Sequence, residues 1–195
     1  VIIRDVGGSY GPRNALYVEH PLVLWAARRT GRPVKWTSDR TESMLTDYQA
    51  RDLIIDASLG FDAGGNIVGL HTQNTSNIGA FSASWLPLVK GIMIMTGLYR
   101  IPDVSARAVA IQSNTPPTYP YRSAGRPEVM YALERMMDMA AKATGLDRIE
   151  IRRRNLIAPN DMPYDNGFEL THDSGNYPKL LEAAVELSDW QGFEA

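Results

Sequence analysis

The run Tyr121-Arg-Ser-Ala-Gly-Arg-Pro-Glu-Val-Met-Tyr-Ala-Leu-Glu134 constrains this chain more than any other stretch. A polar, glycine-containing loop passes straight into a helix that opens at Pro127, where a missing N–H does no harm. The approach, Asn114-Thr-Pro-Pro-Thr-Tyr-Pro-Tyr121, is stiffened by its prolines. The loop therefore presents Arg122, Ser123, Ala124 and Gly125 beside the unpaired N–H groups of a helix N-terminus, which suits an anion. A second turn, Asp5-Val-Gly-Gly-Ser-Tyr-Gly-Pro12, offers backbone N–H groups with little side-chain bulk next to Tyr10 and suits close approach of an oxyanion. It is not a P-loop, because no Gly-Lys-Ser/Thr ending follows, and it does not fit the G-x-G-x-x-G fingerprint. Taken singly, either segment reads first as a tight turn.

The helix from Pro127 is expected to reach about Thr144. Val129, Leu133, Met136 and Ala140 recur at spacings of four, three and four and define a buried stripe, which Met130, Met137 and Met139 widen. Such a stripe reads as core packing and not as a cofactor box. Upstream, Val1–Val6 reads as a strand, and a helix is expected from Pro21 to about residue 30, stopped by Gly31. Pro33–Thr37 reads as a short strand and Ser38–Met44 as a turn or single helical turn. Two longer strands near 51–59 and 67–77 flank Asp62-Ala-Gly-Gly-Asn66 and predict an antiparallel hairpin. Residues 78–98 read as an irregular loop with a short helix, and Val104–Ile111 as a further strand. Asp147 and Glu150 have the spacing of a capping box and open a helix carrying Arg152, Arg153 and Arg154. A polar connector over 158–177 leads to a last amphipathic helix from Tyr177 to Ser188. The expected class is α+β, a mixed, mainly antiparallel sheet with the helices at 21–30 and 127–144 packed against it. Domain 1 is expected over 1–157, and 158–195 as a connector and helix leading towards a second domain.

With 195 residues, 44% of them apolar, the chain can bury one substantial core. A net charge of −2 leaves no cationic excess to neutralise phosphates, which argues against nucleic acid. The Arg152–Arg154 cluster reads as an ion-paired or solvated helix end. The chain has no cysteine, so it supplies neither disulfides nor thiolate ligands to a metal or iron–sulfur cluster. No apolar run approaches the roughly 20 residues of a membrane span. His20, His71 and His172 show no ligand spacing and read as structural, His20 as a possible cap for the helix at Pro21. The ends of the chain, Val1-Ile-Ile and Gln191-Gly-Phe-Glu-Ala195, read as cuts in a longer polypeptide, so exposed apolar surface is expected.

Four segments in order resemble the large, molybdenum-binding subunit of the xanthine dehydrogenase, aldehyde oxidase and carbon monoxide dehydrogenase family. Asp5-Val-Gly-Gly-Ser-Tyr-Gly-Pro-Arg13 resembles its D-V-G-G-G-F-G-x-K turn. Trp25-Ala-Ala-Arg-Arg-Thr-Gly-Arg-Pro-Val-Lys-Trp-Thr-Ser-Asp-Arg-Thr-Glu42 resembles its helix, strand and D-R-x-E stretch. Tyr121-Arg-Ser-Ala-Gly-Arg-Pro-Glu128 resembles its R-G-x-G-x-P-[EQ] loop, and Gly145-Leu-Asp-Arg-Ile-Glu-Ile-Arg-Arg-Arg-Asn-Leu-Ile157 its G-x-D-P-x-E-[LI]-R-x-[RK]-N segment.

The resemblance implies a molybdopterin cofactor with molybdenum, in bacteria usually its cytosine dinucleotide form. It implies insertion of water-derived oxygen with hydride transfer to a Mo=S group, and electrons leaving through iron–sulfur clusters towards FAD. Those clusters and the flavin belong to other domains or subunits, so the implied partners are the rest of the large subunit, an iron–sulfur subunit and a flavin subunit. A cytoplasmic location is expected, with the periplasm compatible. The family's pattern places the cofactor at Gly8, Ser9, Tyr10, Gly11, Arg122 and Ser123, and the substrate near Asn14, Lys90 and Ala124. No residue here matches a direct metal ligand or the family's catalytic glutamate, so the chain by itself is expected to be inactive. Ser123 stands where carbon monoxide dehydrogenases carry their copper-binding cysteine, which removes that activity. Ala124 replaces the substrate-stacking phenylalanine and Asn14 the substrate-contacting glutamate of xanthine-oxidising enzymes, leaving an aldehyde or N-heterocycle as the expected substrate. Ser9 replaces a glycine. The alternatives are a metal-free structural or assembly module of the same fold, and an unrelated α+β phosphate-binding enzyme, which would need a complete anion-binding motif that the sequence lacks.

Overall fold

The hairpin tip shows how the sheet starts. Asp62 Oδ1 accepts the N–H groups of Gly64 (2.9 Å) and Asn66 (2.8 Å), while its Oδ2 accepts from the Asn66 amide (2.9 Å). This turn joins β1 (Leu53–Phe61) to β2 (Ile67–Gly79) as an antiparallel pair. β3 (Val104–Gln112) then lies parallel to β2 on its other side, giving a three-stranded mixed sheet in the order β1-β2-β3. The fold is described here for residues 4–193 of a computed structural model. Its helices and mixed sheet make the expected α+β class.

One face of the sheet is covered. Leu53, Ile55, Ala57 and Leu59 of β1 stand opposite Ser76, Asn74, Thr72 and Leu70 of β2, so these share a face. α4 (Arg126–Thr144) packs on β1, and α3 (Leu86–Met93) packs on β2, β3 and α4. Leu133, Met137, Val129, Met95 and Ile151 are fully buried between them. The α4 stripe runs Val129, Leu133, Met137, Ala140 and Ala141. Met137 thus takes the place expected for Met136, which is only partly buried, and Met139 faces solvent at 59% exposure. At about 100° per residue the buried residues, Val129 to Ala141, centre near Leu133, and Met137 lies about 40° from Leu133 against about 60° for Met136.

Other expectations are corrected. α1 (Glu19–Thr30) has the expected Gly31 cap but buries none of its residues. Leu22, Leu24 and Trp25 are 59–71% exposed. α3 and α4, not α1, cover the inner sheet face. Pro33–Thr37 enters no ladder among the described residues, and Pro33 lacks an N–H to offer one. Of the first expected strand, Arg4–Val6 enters no ladder and Val1–Ile3 lies outside the described residues. His20 lies inside α1 and meets Tyr17 edge-on at 6.0 Å; it does not cap the helix. The connector after 158 contains a two-stranded ladder, β4 (Tyr164–Asp165) with β5 (Thr171–His172). Buried Asn166 ties this ladder to the body by donating to Met93 O (2.8 Å) and Thr96 Oγ1 (3.1 Å). α6 (Tyr177–Leu187) follows.

α5 (Arg148–Asn155) is capped by Asp147, but only half of the expected box forms. Glu150 turns instead to Arg153 (2.9 Å) and Arg154 (2.7 Å). A complete box occurs at Asp39 and Glu42, opening α2 (Arg40–Thr46). The basic cluster is ion-paired: Arg152 to Glu134 and Asp138, Arg153 to Glu150 and Glu182, Arg154 to Glu150.

Asp147 accepts from Glu150 N–H (3.0 Å) and Ile149 N–H (2.8 Å), and these bonds hold its carboxyl below the usual range. A depressed folded pKa contributes stability that is present above the unfolded value of about 3.9 and lost as pH falls through the folded value. Asp147→Ala is expected to cost about 1 kcal/mol at neutral pH. Urea unfolding at pH 7 and pH 3 should show the deficit shrinking in acid. The same deficit at both would show that the charge plays no part.

Candidate functional site

The two loops singled out by sequence, more than a hundred residues apart, meet backbone to backbone. The Arg122 N–H donates to the Tyr10 carbonyl at 2.9 Å. A methyl group on Gly11 would overlap the Pro120 carbonyl oxygen and lie 3.3 Å from Tyr121 Cα, so only a glycine allows this approach. Gly11 is also left-handed, at φ +107°.

Each loop is coiled by positive φ angles. Gly8 (+110°), Tyr10 (+52°) and Gly11 (+107°) shape the first, and Ser123 (+78°), Ala124 (+42°) and Gly125 (+89°) the second. Three of these are not glycine, and such strain persists only where surroundings enforce it. In the first loop Asn14 N–H returns to Gly11 O (3.2 Å), and Ser9 Oγ donates to Asn14 Oδ1 (3.1 Å). The Tyr10 ring folds back over Gly8. In the second, Ala124 N–H reaches Tyr121 O and Arg126 N–H reaches Ser123 O, both at 3.1 Å. α3 backs this loop: a methyl group on Gly125 would overlap Pro87 O and come 3.2 Å from Gly91 N.

Among the described residues, the N–H groups of Tyr10, Gly11, Ser123 and Gly125 have no protein acceptor, and the Arg122 guanidinium has no hydrogen-bond or ion-pair partner. The same residues gather no set of three His, Cys, Asp or Glu able to hold a metal ion. The donor set is therefore backbone N–H plus one guanidinium, which fits an oxygen-rich anionic group and not a bare cation.

Of the residues expected near substrate, Asn14 and Ala124 lie within the joined loops. Lys90 stands on α3 next to Gly91, and among the described residues no hydrogen bond links it to Asn14 or Ala124. Also behind the loop, the Asn74 side chain is fully buried, and its Nδ2 has no partner.

Two supports were not visible in the sequence. Asp47 accepts from Tyr17 Oη (2.6 Å), Arg13 Nη2 (2.7 Å) and Tyr48 N–H (2.8 Å). Burial works against its charge, yet these donors hold its pKa below the usual carboxylate value, while burial and the Asp47 bond push Tyr17 up. Tyr48 meets Tyr17 at a tilt at 4.7 Å and stacks on Tyr119 at 5.0 Å, carrying the first loop's support to the proline-rich approach of the second. Gln49 exchanges N–H to Pro117 O (3.1 Å) and O to Tyr119 N–H (2.9 Å) across the same seam. The other support is Arg51, whose side chain reaches the second loop. No local pattern marks either, because both depend on segments distant in sequence.

Among the described residues no helix is long and apolar enough to cross a membrane. The family model of the molybdopterin cofactor-binding domain matches residues 1–156. The 6-hydroxypseudooxynicotine dehydrogenase complex subunit gamma of Paenarthrobacter nicotinovorans is 37% identical over 95% of this chain and 25% of its own. The carbon monoxide dehydrogenase large chain of Hydrogenophaga pseudoflava is 32% identical over 100% of this chain and 25% of its own. The crystal structure of quinoline 2-oxidoreductase from Pseudomonas putida 86 superposes with a TM-score of 0.91 at 32% identity, covering 97% of this chain and 25% of that one. The chain thus spans about a quarter of the length of these relatives. Its matched segment, with the two joined loops inside it, belongs to the molybdopterin cofactor-binding domain family of molybdenum oxidoreductase large subunits.

Proposed function

We propose that this chain is the part of a molybdenum hydroxylase large subunit that grips the inner end of the cofactor, in an enzyme acting on an N-heterocycle or an aldehyde. The single observation that carries the reading is the Arg122 N–H to Tyr10 O bond, which joins two N–H-rich loops into one cradle. When bound, the molybdenum–pterin group supplies the two-electron chemistry that inserts a water-derived oxygen into an electrophilic carbon. The chain's own residues bind and orient. The unpaired N–H groups of Tyr10 and Gly11 in one loop and of Ser123 and Gly125 in the other would hold its anionic oxygens, and Arg122 would add a fixed positive charge. The small residues Gly8, Ser9 and Gly11 keep the approach open.

The substrate side follows from three side chains. Ser123 offers a hydroxyl and no thiolate, so the reading excludes a copper-bridged site. Ala124 leaves space where a stacking ring would stand, and Asn14 is partly engaged with Ser9 Oγ. Lys90, on α3, is a weaker candidate, joined to neither loop by a hydrogen bond among the described residues. Relatives named for quinoline and for a nicotine derivative favour the N-heterocycle over the aldehyde. The cytosine dinucleotide form of the cofactor, a catalytic glutamate elsewhere in the parent polypeptide, and iron–sulfur and flavin partners complete the proposal, and the isolated chain is inactive in it. Residues 158–195 then lead towards a second cofactor-binding domain.

The test is molybdenum content and acid-released CMP per polypeptide, on the native parent complex. Near-stoichiometric amounts of both are expected. A folded complex with neither, from molybdate-fed cells that make active relatives, would replace this reading with the metal-free module.

A further inference from the structure

We infer that Arg51 is the positioning residue that aims the second loop at the cofactor, an inference that rests on the function proposed above. Arg51 lies just before β1 with a left-handed backbone at φ +61°, a conformation L side chains adopt rarely and at a cost. Its guanidinium reaches across about seventy residues of sequence. Nη2 donates to Arg122 O at 2.7 Å, and Tyr121 O stands at 3.5 Å. Nη1 donates to Glu128 Oε2 at 3.2 Å, and the guanidinium lies 5.3 Å from the Tyr121 ring centroid. One planar fork therefore holds the loop, its aromatic flank and the first turn of α4 together.

The consequence lies in the peptide between Arg122 and Ser123. A trans peptide points its C=O and N–H in opposite directions. With the carbonyl held by Arg51, the Ser123 N–H is turned away from Arg51, where it has no protein acceptor among the described residues. The Arg122 N–H on the preceding peptide is fixed on Tyr10 O. The two peptides are pinned in sequence, so the direction of the unpaired N–H is set before any ligand arrives. Arg51 touches none of the cradle's unpaired N–H groups; it acts through the Arg122 carbonyl.

The rival role is a plain ion pair with Glu128, whose side chain is 14% exposed against 34% for Arg51. The two roles separate by substitution. Arg51→Gln and Arg51→Lys both lose the fork, whereas Glu128→Gln removes a charge but leaves an acceptor for Nη1 and the Arg122 contact intact. The variants are made in the full-length parent complex and read by molybdenum and CMP content, by the Mo(V) electron paramagnetic resonance spectrum, and by unfolding midpoint.

For Arg51→Gln we expect about a 10-fold loss of bound molybdenum and CMP, the scale typical of residues that orient a metal site from behind. What remains should give an altered Mo(V) signal. Arg51→Lys should show the same spectral change, and Glu128→Gln should stay within about twofold of wild type, as fits a partly exposed pair. Wild-type content and spectrum in Arg51→Gln, or equal losses in Glu128→Gln and Arg51→Gln, would overturn the inference. If Arg51→Gln fails to fold, Arg51→Lys decides: a wild-type spectrum and content there overturn it too. A wild-type complex without molybdenum and CMP would instead remove the functional reading beneath it, an outcome distinct from a loaded wild type with an indifferent Arg51.

Discussion

Replacing Gly125 by alanine is expected to cost about 3 kcal/mol or more, while the same change at Gly145 costs about 1 kcal/mol. Both glycines bound α4 and both are left-handed, at φ +89° and +72°. Their surroundings differ completely. Nothing lies within 4 Å of a methyl group on Gly145, so that substitution meets only the intrinsic left-handed penalty. At Gly125 the methyl group would overlap the backbone oxygen of Pro87 and press on Gly91 N, and backbone cannot swing aside as a side-chain tip can. Either α3 must move off the start of α4 or the second loop must uncoil. Both outcomes also disturb the Arg122 to Tyr10 bond, so the variant should lose amide protection over 121–129 along with stability. Urea unfolding of the two variants, with hydrogen exchange across the loop, makes the comparison. Equal costs at the two glycines would show that α3 does not brace the loop.

That contrast marks where the sequence is legible. The helix from Pro127, the hairpin at Asp62 and the Gly31 and Asp147 caps are written locally, in residues whose conformational preferences act within a few positions. The meeting of Gly11 with Pro120 is not local, and in the sequence only the resemblance of both loops to one family pattern links them. Pro33–Thr37 carries strand-favouring residues, yet a strand is defined by its neighbour, and among the described residues none pairs with it. α1 has the expected Gly31 cap, but Leu22, Leu24 and Trp25 stay exposed, and α3 and α4 cover the sheet in its place. The resemblance names residues in both loops, but nothing in the sequence names Arg51, since a lone arginine before a strand resembles any solvated charge until the chain folds it onto Arg122.

Asn155 shows the same gap between a motif and its cause, and its loss is the second large effect expected. It ends the Arg-Arg-Arg-Asn run whose resemblance to the family segment carried no physical reason of its own. In the fold it is 3% exposed and joins α5 to the hairpin ninety residues away in sequence. Oδ1 accepts the Ile67 N–H at 2.7 Å, and Nδ2 donates to Gly65 O at 2.9 Å and Ile151 O at 2.8 Å. Ile67 is itself buried, so Asn155→Ala strands a donor where water cannot reach it. A stranded buried group costs roughly 1–3 kcal/mol, and with the Gly65 carbonyl also unpaired the total should be about 3 kcal/mol. Its neighbour Arg154 contacts the same hairpin through Gly64 O at 2.7 Å, but from an exposed position where water replaces it. Arg154→Ala should therefore cost less than about 1 kcal/mol. Asn155→Asp keeps the acceptor for Ile67 but points a carboxylate at two carbonyl oxygens, so its deficit should grow as pH rises through the carboxylate range. Urea unfolding of the three variants at pH 4 and pH 7 separates these outcomes. Matching costs for Asn155→Ala and Arg154→Ala would mean that the hairpin is held by its apolar contacts, with the buried amide adding nothing.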